Sequence, residues 1–295
     1  MWKLICANTF VMLRSKRLWI GAAALVVYDL GIVNFTISGL RGPGATGLEA
    51  QVFGFLGLAA LLVPVVTVLF VNTDYHDGTY RSKLSVGHSR AAVYLANLLV
   101  SALAGLFYFA LHLLVALSVG YAGGGTFMLD PGELAVRMGA SILVLLSLTA
   151  ITVAVSMLMT HRAVTVVVII MMALLLDGAS LLENCLAQPP QVRDVTGTVE
   201  VVNEEGETVL RYVDREGREL KVSETEMVPN PYYIGEPLRT GLCLVNDLLP
   251  GGQIFHLMGL TQRQVPAWSV GLNAGAMALL STALGLGLFR RKDLK

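Results

Sequence analysis

Six apolar runs, each near or above the ~20 residues that an α-helix needs to cross a bilayer, leave this chain few options. They lie at Leu18 to Ile37, Val52 to Val71, Ala91 to Val119, Leu134 to Met159, Val164 to Leu182 and Trp268 to Phe289. Hydrocarbon offers no water to backbone N–H and C=O groups, so runs of this length must be helices that satisfy those groups internally. Composition agrees, with 14% of residues charged against roughly 25% in a soluble domain. The expected fold is therefore an all-α polytopic membrane protein with six transmembrane helices. Lysine plus arginine equals aspartate plus glutamate, and the zero net charge argues against nucleic acid as a partner.

Orientation follows from the basic residues beside the runs. Lys3, Arg14, Lys16, Arg17, Arg81, Lys83, Arg90, Arg162, Arg290, Arg291, Lys292 and Lys295 fall on one side, and the short loops opposite carry Arg41 and Arg137. Both termini are expected in the cytoplasm. The first run is long for a signal-peptide core, contains Asp29 and leads to no small-residue cleavage site, so it reads as a span. Residues 1–17 set Trp2, Ile5, Cys6, Thr9 and Leu13 on one helical face, as in a helix lying along the inner leaflet. A frayed terminus is the other reading.

Residues 183–266 form the sizeable polar region, expected outside the cell. Asp194 to Asn203, Glu207 to Asp214 and Arg218 to Ser223 are β-prone and separated by turn-like Asn203 to Gly206 and Arg215 to Gly217, which predicts a small antiparallel sheet. With few large apolar residues, that sheet should lean on the helices or on a second copy. Glu236 to Leu249 places Leu238, Leu242, Val245 and Leu249 at helical spacing before Pro250-Gly-Gly252, an amphipathic helix expected on the outer surface. No internal repeat is evident, which disfavours an inverted-repeat carrier.

Chemistry is scarce. The chain has no G-x-x-x-x-G-K-[ST], H-E-x-x-H, C-x-x-C or G-x-S-x-G motif, and His76, His88, His112, His161 and His256 are not spaced as metal ligands. Neither an enzyme nor a metal site is expected. Asp29, His112 and Asp177 fall inside apolar runs, where an ionisable group costs roughly 2.5 to 3.5 kcal/mol and so faces protein or water. Two readings stay open for them: lining of a translocation path or proton relay, and hydrogen bonding between helices. Pro64 is expected to kink span two, and Gly271 with Gly275 permits close helix contact. Cys185 and Cys243 both fall in the outer region and form a possible disulfide, with isolated thiols as the alternative.

Several segments together resemble the permease subunits of ABC-2 type ATP-binding-cassette exporters, particularly the bacterial antimicrobial-peptide and drug-resistance branch. They are Leu13-Arg-Ser-Lys-Arg-Leu-Trp19, Asp74 to Leu84 with Gly87-His-Ser-Arg90 and Tyr94-Leu-Ala-Asn97, Asn230-Pro-Tyr-Tyr-Ile234, Asp247-Leu-Leu-Pro-Gly-Gly-Gln253 and Phe289-Arg-Arg-Lys-Asp293. Asp74 stands where that family usually has glutamate, Gly235-Glu-Pro departs from its pattern, and the sheet-like insert lies outside the match. The resemblance implies a homodimeric permease in the bacterial cell membrane that carries no cofactor itself and docks a separate ATPase holding ATP and Mg. The docking element would be the loop 72–90, through Asp74, Tyr75, Asp77, Gly78, Thr79, Tyr80, Arg81, Lys83 and Leu84, with His161 and Arg162 as a second contact. Physical chemistry suits the loop to that role: Asp74 and Asp77 favour a helix start, Tyr80 and Leu84 pair at i, i+4, and Arg81 and Lys83 offer charge. The domain order becomes an interfacial helix over 1–17, five spans over 18–182, the outer region 183–266, and a last span with a basic tail over 267–295. A proton-coupled carrier using Asp29, His112 and Asp177, and a membrane receptor or immunity protein, are the competing classes.

Overall fold

In the computed structural model, the backbone is described for residues 1–40, 48–159, 163–193, 197–202, 208–213, 219–220, 227–261 and 263–292; the side chains of residues 32–40, 76, 193, 197–202, 208–213, 219–220 and 227 lie outside the description. The elements run α1 (Trp2–Arg14), α2 (Lys16–Leu40), α3 (Leu48–His76), α4 (Thr79–Ser85), α5 (Arg90–Ala122), α6 (Pro131–Leu158), α7 (Val164–Leu186), β1 (Gln191–Arg193), β2 (Gly197–Val202), β3 (Thr208–Val213), β4 (Glu219–Leu220), β5 (Met227–Pro229), α8 (Leu238–Leu248), α9 (Pro250–Met258) and α10 (Ala267–Arg291). Among the described residues, α3, α5, α6, α7 and α10 are long and apolar enough to cross a membrane. The first expected span lies within α2, whose side chains beyond Gly31 are outside the description.

Local chemistry sets the boundaries. Ser89 caps α5 by accepting from the Ala92 N–H at 3.2 Å, and Asp130 caps α6 by accepting from the Gly132 N–H at 2.9 Å, with Pro131 at the first helical position. Gly78 precedes α4 at φ 66°, a left-handed backbone that glycine adopts without strain. Pro64 sits inside an α3 that continues unbroken past it.

The chain divides into two units, Met1–Leu181 with Leu244–Lys295, and Leu182–Cys243. In the first, α10 packs along α6, and α3, α5 and α6 form the centre, with Tyr94, Tyr108, Phe55, Leu145, Leu148 and Met157 fully buried. Small residues permit the close approaches: a methyl on Gly285 of α10 would lie 2.7 Å from the Ala154 Cβ and closer still to the Tyr94 hydroxyl. Gly271 meets Ala140 of α6, whereas Gly275 faces open space, so the expected glycine pair contributes one contact. Helix α9 was not anticipated. The proline and glycines expected to end a helix instead begin this second one, with Pro250, Gly251, Gly252 and Gln253 buried and the helix packed on α3, α6 and α10. Residues 244–266 therefore belong to the helical unit, and the separate unit is shorter than the expected 183–266.

The second unit holds two small antiparallel sheets. One pairs β1 with β5, in register Gln191↔Pro229 to Arg193↔Met227, and the other runs β2-β3-β4, with Gly197↔Val213 to Val202↔Thr208 and Tyr212↔Leu220. Asn230 closes the first: its Nδ2 donates to the Pro189 carbonyl at 2.9 Å and its Oδ1 accepts from the Tyr232 N–H at 3.0 Å. That gives the Asn-Pro-Tyr-Tyr segment a structural task.

Candidate functional site

The short helix α4 is fastened to α1, α3, α5 and α6 at one end of the bundle. Asp74 at the end of α3 accepts from the Thr79 hydroxyl at 2.8 Å and pairs with the Lys83 ammonium at 2.5 Å; Lys83 also donates to Asn8 Oδ1 on α1 at 3.1 Å. From Asn8 the bonds continue inward. Asn8 Nδ2 donates to Asn97 Oδ1 at 2.7 Å, Asn97 Nδ2 to the Tyr80 hydroxyl at 2.6 Å, and Tyr80 to the Met157 sulfur at 2.8 Å. On the other side of Met157, its carbonyl accepts from Tyr75 at 2.7 Å and from Lys292 at 2.9 Å. Five helices and the chain's C-terminal end thus share one polar clasp. Burial above all, reinforced by Asp74 and Tyr75 against the opposing Asn97 bond, pushes the Tyr80 hydroxyl well above its ordinary pKa, so it stays a donor.

This geometry divides the expected docking residues. Tyr80 is buried, Tyr75 and Leu84 are partly buried against the core, and Asp74 and Lys83 spend their charges on each other. Lys83, expected to offer charge to a partner, has its ammonium held by the buried Asn8 amide and the Asp74 carboxylate. What α4 and its flanks present outward is Asp77, Gly78, Arg81, Ser82, Ser85 and Val86, the last 79% exposed. Thr79 sits between, and His161 and Arg162 lie outside the described residues. Asn8 and Met157 were given no site role by the sequence reading, and Asn97 entered it only as the end of the Tyr94-Leu-Ala-Asn97 segment. Asn97 carried a signal, being a primary amide within an apolar run.

A second buried group links α2, α3 and α5. His112 Nδ1 lies 3.0 Å from Asp29 Oδ1 and its Nε2 lies 3.0 Å from the Val52 carbonyl, both side chains being 2% exposed. A carbonyl and a carboxyl both accept, so the contacts require a proton on Nε2 and a second one shared across the Nδ1–Oδ1 contact. The pair is then neutral as a whole, which is what an apolar interior favours. Phe55 stacks on the ring at 4.6 Å, and Asp29 Oδ2 has no partner among the described residues. Of the two readings left open for Asp29 and His112, the geometry is that of a hydrogen bond between helices.

Asp177 is not part of that group. It is exposed on α7, aligned with the exposed Ile170, Leu174 and Leu181. Cys6, Cys185 and Cys243 are all free thiols, so the possible Cys185–Cys243 disulfide is not formed. Elsewhere in the helical unit, Asp247 binds Arg263 through both carboxylate oxygens and lies 3.0 Å from His256 Nε2. Burial raises the Asp247 pKa, but the His256 and Arg263 bonds outweigh it and hold the carboxyl below its ordinary value. A cavity of about 520 Å³ beside this cluster also reaches Glu133 and Arg137 of α6. Among the described residues, no group of histidine, cysteine, aspartate and glutamate is arranged to hold a metal.

No family model matches the chain, and no curated protein matches it. The five long apolar helices among the described residues place it in the class of helical, multi-pass membrane proteins.

Proposed function

We propose that the chain is the transmembrane subunit of an ATP-driven exporter of the ABC-2 type, docking a separate ATPase that holds ATP and Mg. The supporting observation is α4, a short helix rigidly clasped at one end of the bundle while its outer face, with Asp77, Arg81, Ser82, Ser85 and Val86, is left open. An element that transmits mechanical work needs that combination, because a loosely held loop would absorb a push that a hydrogen-bonded helix passes on to α1, α3, α5 and α6. The basic residues gathered at this end support a cytoplasmic position for it, and the exporter reading puts the protein in a bacterial cell membrane. The exposed stripe on α7 supports assembly with a second copy, since Asp177 facing lipid directly would be costly. Apolar walls suit a peptide, lipid or amphipathic drug as cargo.

A proton-coupled carrier is the second reading, favoured by the buried contact between Asp29 and His112. The two separate on one substitution. Arg81→Glu reverses the charge at that position of the open face without touching the clasp, and mismatched charges at an interface cost several kcal/mol. The variant should stay folded and lose co-purification with its P-loop ATPase. Undiminished co-purification, or transport that persists without ATP and collapses with the proton gradient, would refute the exporter reading.

A further inference from the structure

Where α1 turns into α2, a cleft of about 520 Å³ opens between the elbow and α3. Arg14, Lys16 and Arg17 line it together with Phe10, Val11 and Phe70. All three cations are exposed, and so are Phe10 and Val11, at 58% and 54%. The cations are not neutralised. Arg17 donates to the Leu69 carbonyl at 2.8 Å and to the Thr73 hydroxyl, both uncharged, and the Arg14 guanidinium lies 5.3 Å above the Phe10 ring. None of the three has a carboxylate partner among the described residues. Asp74, the acid on the cleft wall, is already matched by Lys83.

Positive charge explains affinity for an anion, but it does not explain the apolar side chains beside it. A free anion has no use for exposed Phe10 and Val11, whose contact with water is unfavourable. Trp19 adds a third observation. Its indole N–H donates to the Leu13 carbonyl at 2.8 Å, tying α2 to the end of α1, while the ring stays exposed. A tryptophan anchored this way suits the level of lipid headgroups.

We propose that this cleft binds an anionic glycerophospholipid, its phosphate held by Arg14 and Lys16 and its acyl chains lying along Phe10 and Val11. Basic clusters beside a membrane helix gain from anionic lipid in this manner. The inference rests on the membrane class of the fold and not on the exporter reading, and its test uses no ATPase.

The test reads Trp19 alone, in full-length protein carrying Trp2→Phe and Trp268→Phe, reconstituted in nanodiscs. Brominated phosphatidylglycerol is titrated into phosphatidylcholine and compared with brominated phosphatidylcholine at equal bromine. Trp19 should be half-quenched at a much lower fraction of the anionic lipid. Arg14→Gln with Lys16→Gln, both exposed positions, should raise that fraction on the order of tenfold, while quenching by the zwitterionic lipid stays unchanged and reports an intact elbow. Lys3→Gln with Arg291→Gln removes two cations that do not line the cleft and should leave the fraction where it was. Equal quenching by both lipids, or an equal shift from the control variant, overturns the site. Loss of the preference on adding inorganic phosphate at constant ionic strength shows a free-anion site and overturns it too.

Discussion

His112 has acceptors on both sides, and removing one partner of such a pair is costlier than removing both. Leucine at position 112 alone would strand the Asp29 carboxyl among α2, α3 and α5 with no donor beside Oδ1, where Oδ2 already lacks one. Breaking a buried pair this way costs about 3–5 kcal/mol, whereas replacing both members with apolar side chains is often neutral. His112→Leu should therefore lower stability by that amount in unfolding titrated with dodecyl sulfate, and Asp29→Leu with His112→Leu should recover most of the loss. Additive losses in the double variant would show that the two side chains are not coupled. The same logic explains the clasp. Asn97 is fully buried and serves both Asn8 and Tyr80, so no apolar residue could replace it without orphaning its neighbours.

At the scale of elements, α1 shows how partners override periodicity. Its spacing sets Trp2, Ile5, Cys6, Thr9 and Leu13 on one face, yet the face that packs on the bundle carries Leu4, Asn8 and Met12. Asn8 finds Asn97 and Lys83 there, while Trp2 and Leu13 are left exposed. The junction of α8 with α9 is likewise set by contacts, through the Asp247, His256 and Arg263 cluster. Because the folded Asp247 carboxyl titrates below its ordinary 3.8, the unfolded chain binds its proton more readily. The stability it supplies is thus fully present above about pH 4 and lost as pH falls through the folded pKa. Melting temperatures followed from about pH 6 to about pH 3 should fall less steeply for Asp247→Asn than for the parent protein. Parallel curves would show that the cluster contributes nothing to acid sensitivity.

At the scale of the whole helical unit, coverage is uneven. Helices α3 and α6 are mostly enclosed by their neighbours, while α7 exposes Val166, Ile170, Leu174, Asp177 and Leu181. If that stripe meets a second copy, Leu174→Cys in a background with Cys6, Cys185 and Cys243 replaced by serine should give a disulfide-linked dimer when membranes are oxidised. Val168→Cys, on the buried side of the same helix, should remain monomeric. Monomer alone from cysteines at 170, 174 and 181 would place the second copy elsewhere.

Hydropathy alone located α3, α5, α6, α7 and α10, the five candidate spans among the described residues, because a bilayer imposes a length and an internal hydrogen-bond rule that any twenty-residue run displays. The capped starts at Ser89 and Asp130 are local as well. What only tertiary structure decided is the direction each polar side chain takes. Lys83 and Arg81 look equivalent in sequence, but one meets Asp74 and Asn8 and the other meets solvent. Asp29 and Asp177 look equivalent too, and only Asp29 meets a histidine 83 positions away. Partners that distant in the chain leave no local pattern, and the Pro-Gly-Gly stop at 250–252 became a helix start for the same reason: α3, α6 and α10 were there to bury it.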